Sequence, residues 1–190
     1  MPVNVQDNFL DKDYFKKLQS VVFSDDFPWF LTTYLDGKKD VQPPTEPELM
    51  MVHLAYASRS PITVKRTEFY DQLGPFFNLL DIFSVLRVKL NLQPRTEKIT
   101  EPTELHIDVP SAPDNAVTSI LYMNTNNGYT KLETGEKISS VENRLVTFPM
   151  NLRHTGSSNN CESLYRSVMN IGWIPNTWGG INYKGKNNGE

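Results

Sequence analysis

Only one cysteine, Cys161, occurs in the chain, so no intramolecular disulfide can form, and this fits a reducing compartment. Cys161 has no base beside it in sequence that would mark it as a nucleophile. A basic excess is also missing: 19 Lys and Arg stand against 22 Asp and Glu, a formal net charge of -3. Duplex binding needs a basic field, so the balance argues against duplex nucleic acid as a partner. Long apolar runs are absent. The most apolar stretch, Leu73 to Leu92, is broken by Pro75, Asn78, Asp81, Arg87 and Lys89, which excludes a membrane span there. Residues Met1 to Asp7 carry neither a basic segment nor an apolar one, so no signal peptide is expected and the expected location is cytoplasmic. No internal repeat is present. Histidine is scarce: the chain has His53, His106 and His154.

What is present fits one domain of 190 residues with an ordinary globular composition, 38% hydrophobic and 22% charged. The first part, about 1–84, reads as helical and loop support. Asp11 caps a helix reaching about Val22, with Tyr14, Phe15, Leu18 and Val22 on one face. Residues Asp36 to Glu48 are polar and proline-rich and read as a loop. A second helix is expected after Pro75, and Phe76, Phe77, Leu79, Leu80, Ile82 and Phe83 make it apolar enough to pack on a sheet.

From about 85 to 175 the texture is β. Short runs recur at Val85 to Leu92, Glu104 to Ile107, Val117 to Met123, Leu145 to Phe148 and Ser163 to Trp173, with turn residues between them. This pattern predicts a mainly β jelly-roll core with flanking helices. The tail, Tyr183 to Glu190, is polar and expected to fray.

His106 and Asp108 lie two apart in Leu105-His106-Ile107-Asp108. On a strand they project to one side, about 6–7 Å apart along the chain, and can converge on one metal. His154 follows Asp108 by 46 positions and could be returned beside the pair by a later antiparallel strand. Two histidines and a carboxylate leave open metal positions, the arrangement used by non-heme Fe(II) oxygenases. Zinc hydrolysis uses a related set, and a surface histidine near an acid is the plain alternative. Arg166, 12 positions after His154, sits in the apolar run Leu164 to Trp173. A buried guanidinium needs an anion, either a carboxylate substrate or an internal acid such as Glu142 or Glu162.

The order His106-x-Asp108, His154, Arg166 resembles the Fe(II)/2-oxoglutarate-dependent dioxygenase superfamily, and within it the prolyl-hydroxylase-like branch. Val117-Thr118-Ser119-Ile120-Leu121-Tyr122-Met123-Asn124 is similar to that branch's strand after the His-x-Asp, and Asn127-Gly128-Tyr129-Thr130 resembles its following turn. The resemblance covers roughly 85–173. It implies a double-stranded β-helix, cupin-like, with Fe(II) on His106, Asp108 and His154. It also implies that Arg166 and Tyr122 grip the distal carboxylate of 2-oxoglutarate, with Asn170 as a candidate pocket residue. Dioxygen is the oxidant implied, ascorbate a candidate reductant, and succinate and CO2 the co-products.

Two departures matter. Tyr129 stands where many relatives have a second glycine. The last strand also lacks the second arginine of the nucleic-acid demethylases, which argues against base repair. The retained Asp108 favours hydroxylation over halogenation. The implied substrate is a peptide, with a prolyl side chain first and a free amino acid or small metabolite next. The alternative function is a non-catalytic jelly-roll module that binds a metal or ligand. Lys89, Asn91 and Gln93 alternate on the strand before the metal pair as candidate lining. His53, Trp29, Trp173 and Trp178 read as packing groups, and the stretch from Phe27 to Leu73 as the segment that would include a lid. Oligomeric state is not legible.

Overall fold

A computed structural model describes residues 2–32, 49–60, 63–102 and 104–176. The polar segment from Asp36 to Glu48, Trp178 and the tail from Tyr183 lie outside the described residues.

The chain folds into two antiparallel sheets with helices on the outer face of the larger one. Near the N-terminus come β1 (Asn4–Gln6) and α1 (Lys12–Val22). The Asp11 carboxylate caps α1 as expected, accepting from the backbone N–H of Asp13 at 3.0 Å and Tyr14 at 3.2 Å. Phe15, Leu18 and Val22 are buried, so the apolar stripe faces the sheet. Next are β2 (Phe30–Thr32), β3 (Met50–Ser60), β4 (Thr63–Arg66), α2 (Glu68–Asp71) and α3 (Gly74–Phe77). The second half supplies β5 (Ile82–Pro94), β6 (Val117–Tyr122), β7 (Tyr129–Leu132), β8 (Lys137–Ser139), β9 (Leu145–Pro149), β10 (His154–Gly156) and β11 (Tyr165–Pro175).

The larger sheet runs β1-β9-β6-β11-β5-β3-β2, with β4 on β3; the smaller runs β10-β7-β8. This is a jelly-roll sandwich. Alternation along each strand builds two cores. Leu90, Leu121, Met169, Ile171 and Trp173 face outward under α1 and α3, together with Phe15, Leu18 and Phe76. Ile120, Tyr122, Val146, Phe148 and Val168 face inward toward Leu132 and Ile138 of the smaller sheet.

Several expectations change. The helix after Pro75 is a single turn, and Ile82 and Phe83 belong to β5. Pairing explains this. Ile82 registers with Pro175 of β11, and the Asn176 N–H donates to the Asp81 carbonyl at 2.9 Å, so cross-strand bonds claim the segment before a helix can continue. Glu104 to Ile107 is not a strand but an isolated bridge at His106. The N-terminal part supplies β1, β2, β3 and β4 to the larger sheet rather than serving as helical and loop support alone, and β7, β8 and β10 lie where no strand was expected.

Candidate metal centre and co-substrate pocket

His106 and His154 are brought together by backbone pairing. The His106 N–H donates to the His154 carbonyl at 2.9 Å, and the His154 N–H to the His106 carbonyl at 3.0 Å. This bridge extends the smaller sheet by one rung beyond β10, and the two rings stand 4.7 Å apart. Asp108 projects to the same point. Its Oδ1 lies 3.7 Å from His106 Nε2 and its Oδ2 3.7 Å from His154 Nε2. One ligand atom from each of the three residues lies within 4.8 Å of the others.

The electrostatics suit a cation. The Asp108 side chain is only 7% exposed. Burial pushes its carboxyl up, but the His106 hydrogen bond and the charges of Arg87, His154 and His106 outweigh this and hold it well below the usual carboxylate range. Burial keeps His154 below the ordinary imidazole value, so it stays a neutral donor. His154 Nε2 is buried with no hydrogen-bond partner among the described residues. A buried nitrogen lone pair aimed at a carboxylate, with a second imidazole beside it, is a donor set that a divalent first-row metal completes.

The triad opens into a cavity of about 740 Å³ between the sheets. Arg166 also lines this cavity and is 3% exposed. Its Nε donates to Ser140 Oγ at 2.9 Å and its Nη2 to Thr130 Oγ1 at 3.0 Å. Glu142 pairs instead with Lys16, and no acid among the described residues bonds to Arg166. Burial accordingly pulls its guanidinium below its ordinary value, against the opposing influence of Tyr122. Two hydroxyls cannot neutralise a buried guanidinium, so the arrangement calls for an anionic ligand. Gly128 and Gly156 make room for the Arg166 side chain. A Cβ at Gly156 would stand 3.0 Å from Arg166 Nη1, and one at Gly128 would meet Arg166 Cδ and the Ser158 carbonyl at 2.7 Å each.

The remaining sequence candidates divide. Tyr122 is fully buried and its hydroxyl sits 2.8 Å from Thr130 Oγ1 and 3.2 Å from the Ile138 carbonyl oxygen. Thr130 lines the cavity; Tyr122 stands one hydrogen bond behind it. Asn170 lines the cavity, with Nδ2 3.5 Å from Asp108 Oδ2. Lys89, Asn91 and Gln93 all line it. His53 is buried on the outer side, between the Pro28 carbonyl and the Thr67 hydroxyl at 3.0 Å each, as a packing residue should be.

Arg87 was missed. Its Nη1 donates to the Asp108 carbonyl at 2.9 Å and to Oδ1 at 3.1 Å. The signal was available, since Arg87 shares the alternation of Lys89, Asn91 and Gln93. Thr130 lay in the turn motif, while nothing local marks Ser140.

Comparison with solved structures identifies the fold. A 2OG-Fe(II) oxygenase family oxidoreductase from Burkholderia pseudomallei superposes with a TM-score of 0.61 at 11% identity, covering 90% of this chain and 84% of that one. AviO1 from Streptomyces viridochromogenes Tue57 gives 0.56 at 13% identity, covering 94% and 92%. A Trichoplax adhaerens prolyl hydroxylase, in complex with a hypoxia inducible factor oxygen degradation domain peptide fragment, gives 0.55 at 12% identity, covering 91% and 83%. This chain has the 2OG-Fe(II) oxygenase fold. No family model matches the sequence, and no curated protein matches it either. The oxygenase fold therefore persists here at identities where only geometry carries the likeness.

Proposed function

We propose that this chain is a metal- and 2-oxoglutarate-dependent oxygenase, with Fe(II) held by His106, Asp108 and His154. The observation that carries this is the pairing of two needs in one cavity: a donor cluster short of a cation and a buried arginine short of an anion. A dicarboxylic oxo-acid meets both, because one end can chelate the metal while the other reaches Arg166. When bound, iron with 2-oxoglutarate supplies the oxidising chemistry, consuming dioxygen and releasing succinate and CO2 as a C–H bond is hydroxylated.

The chain's own residues prepare the site. Asp108 stays ionised and His154 neutral, so neither needs to lose a proton before binding the metal. Arg166 holds the distal carboxylate from the floor of the pocket, and Thr130 and Ser140 fix the plane of its guanidinium. Tyr122 contributes its hydroxyl to the same group through Thr130. The inner core of Ile120, Val146, Phe148 and Val168 keeps water from that end. The substrate proposed is a peptide or amino-acid side chain, and ascorbate would keep the metal reduced.

The test is succinate release by the purified protein, measured with and without Fe(II) and 2-oxoglutarate. The oxygenase reading expects both to be required. Succinate released at the same rate without iron contradicts it.

A further inference from the structure

The 2-oxoglutarate reading uses the β11 side of the cavity and leaves the β5 and β3 side unassigned. Strand registers lay that side out as rows. Asn170 pairs with Lys89, which pairs with Leu54; Val168 pairs with Asn91, which pairs with Val52. Cavity-facing residues therefore place two amides, Asn170 and Asn91, diagonally on adjacent strands, with Val52 and Leu54 as an apolar wall beyond them.

Both amides carry an unmet need. Asn170 is 6% exposed, its Nδ2 is turned toward Asp108, and its Oδ1 has no hydrogen-bond partner among the described residues. Asn91 Oδ1 is likewise buried and unpartnered. A buried carbonyl without a donor is unfavourable, so each calls for an N–H or O–H. Neither Fe(II) nor the dianion of 2-oxoglutarate has one to give. A third component that carries such donors meets both amides. Arg87 adds the opposite need. It lines the cavity, and among the described residues its guanidinium bonds only to the two Asp108 oxygens, both through Nη1. The rest of its donor fork fits a carboxylate.

We propose that the primary substrate is a free aliphatic amino acid. It is bound as its zwitterion, with the ammonium on the Asn170 and Asn91 side-chain carbonyls, the carboxylate on Arg87, and the side chain against Val52 and Leu54. This rests on the oxygenase reading and narrows it. A prolyl residue inside a peptide has no N–H of its own and no free carboxylate, so it would leave both amide carbonyls without a donor and Arg87 without an anion.

The experiment is calorimetric titration into the full chain loaded with Fe(II) and 2-oxoglutarate under exclusion of dioxygen. The probes are L-valine, L-leucine, L-isoleucine and L-proline, their N-acetyl and carboxamide derivatives, and blocked tripeptides with the same residue at the centre. At least one free amino acid should bind, and acetylation or amidation should weaken it at least tenfold. Asn91→Leu should weaken it at least tenfold, while Asn91→Asp, which keeps the acceptor and adds charge, should retain binding. Among the described residues Asn91 makes no hydrogen bond to a proposed metal ligand, and metal content measured on Asn91→Leu separates loss of the amino acid from loss of metal. Binding of the blocked tripeptides in place of the free amino acids overturns the proposal. So does unchanged affinity in Asn91→Leu. Binding of 2-oxoglutarate with no amino acid bound overturns it and leaves the oxygenase reading standing. Failure to bind 2-oxoglutarate removes both.

Discussion

His106 and His154 exchange two backbone hydrogen bonds, at 2.9 and 3.0 Å, although 47 residues separate them in sequence. The two histidines of the proposed metal centre are therefore joined by a rung of sheet, and their spacing is set before any ion arrives. Replacing either ring by alanine keeps both backbone bonds. His106→Ala and Asp108→Ala should thus stay folded but bind metal at well below one equivalent. Circular dichroism and metal analysis of the dialysed variants check this; full metal occupancy in either variant would show that the ion sits elsewhere.

Arg166 is the sole charged contact proposed for the far end of 2-oxoglutarate. Arg166→Ala should weaken that ligand by roughly 2–5 kcal/mol, the range for removing one side of a buried ion pair. Arg166→Lys should recover only part of it, because the fork that meets Thr130 and Ser140 is lost. Competition binding with the metal-loaded protein gives both numbers. Equal affinity in all three proteins would move the co-substrate elsewhere.

Tyr122 stands one hydrogen bond back from the cavity, behind Thr130, and the proposed function gives it an indirect role. Tyr122→Phe should cost about 0.5–3 kcal/mol in 2-oxoglutarate affinity, the range for one hydrogen bond. Thr130→Val should cost at least as much, since it removes the hydroxyl that faces both Tyr122 and Arg166. A loss confined to Tyr122→Phe would reverse that order of roles.

Gly128 is closed in from two sides, by the Ser158 carbonyl and by Arg166. Gly128→Ala should destabilise the protein by about 1–3 kcal/mol, as overpacking does, and weaken 2-oxoglutarate by displacing the guanidinium. Thermal unfolding and ligand affinity should fall together. A variant with unchanged melting and binding would mean the loop yields freely.

His53 supplies a pH dependence. Burial lowers its pKa below the ordinary 6.5, against the bond to Pro28 that raises it. The folded state therefore holds it neutral while the unfolded chain takes up a proton near pH 6.5. Stability from this group is complete above about pH 6.5 and is lost as pH falls from there toward its lower folded value. Denaturant unfolding at pH 7.5 and 5.5 should show a smaller loss in His53→Gln than in the parent. An equal loss would assign the acid sensitivity to other groups.

Much of this site could be read locally. His106 and Asp108 are two apart, and Arg166 is a lone cation in an apolar run, so spacing and burial cost together with the family resemblance singled them out, although His106 sits on an isolated bridge and not on the strand that alternation assumed. The strands β6, β9 and β11 were legible because they are buried on both faces and rich in β-branched, aromatic and other apolar residues. What depended on pairing was not legible. Phe83 looked like part of a helical apolar face and instead lies in β5, 73% exposed, because β11 captures the segment beside it. Ser140 and Gly156 reach Arg166 only through the fold of the smaller sheet, and no local pattern marks a residue whose partner lies 26 positions away. The unassigned acceptors on Asn91 and Asn170 were visible as alternating polar positions, but their lack of partners is a property of the folded interior.

In the proposed function one pocket holds a metal and 2-oxoglutarate together. Titrating 2-oxoglutarate into the protein without dioxygen, with and without Fe(II), tests this most directly, with Asp108→Ala as the comparison. The account predicts tight binding that requires the metal and disappears in Asp108→Ala. Binding of equal strength with and without iron, or retained in Asp108→Ala, would contradict it.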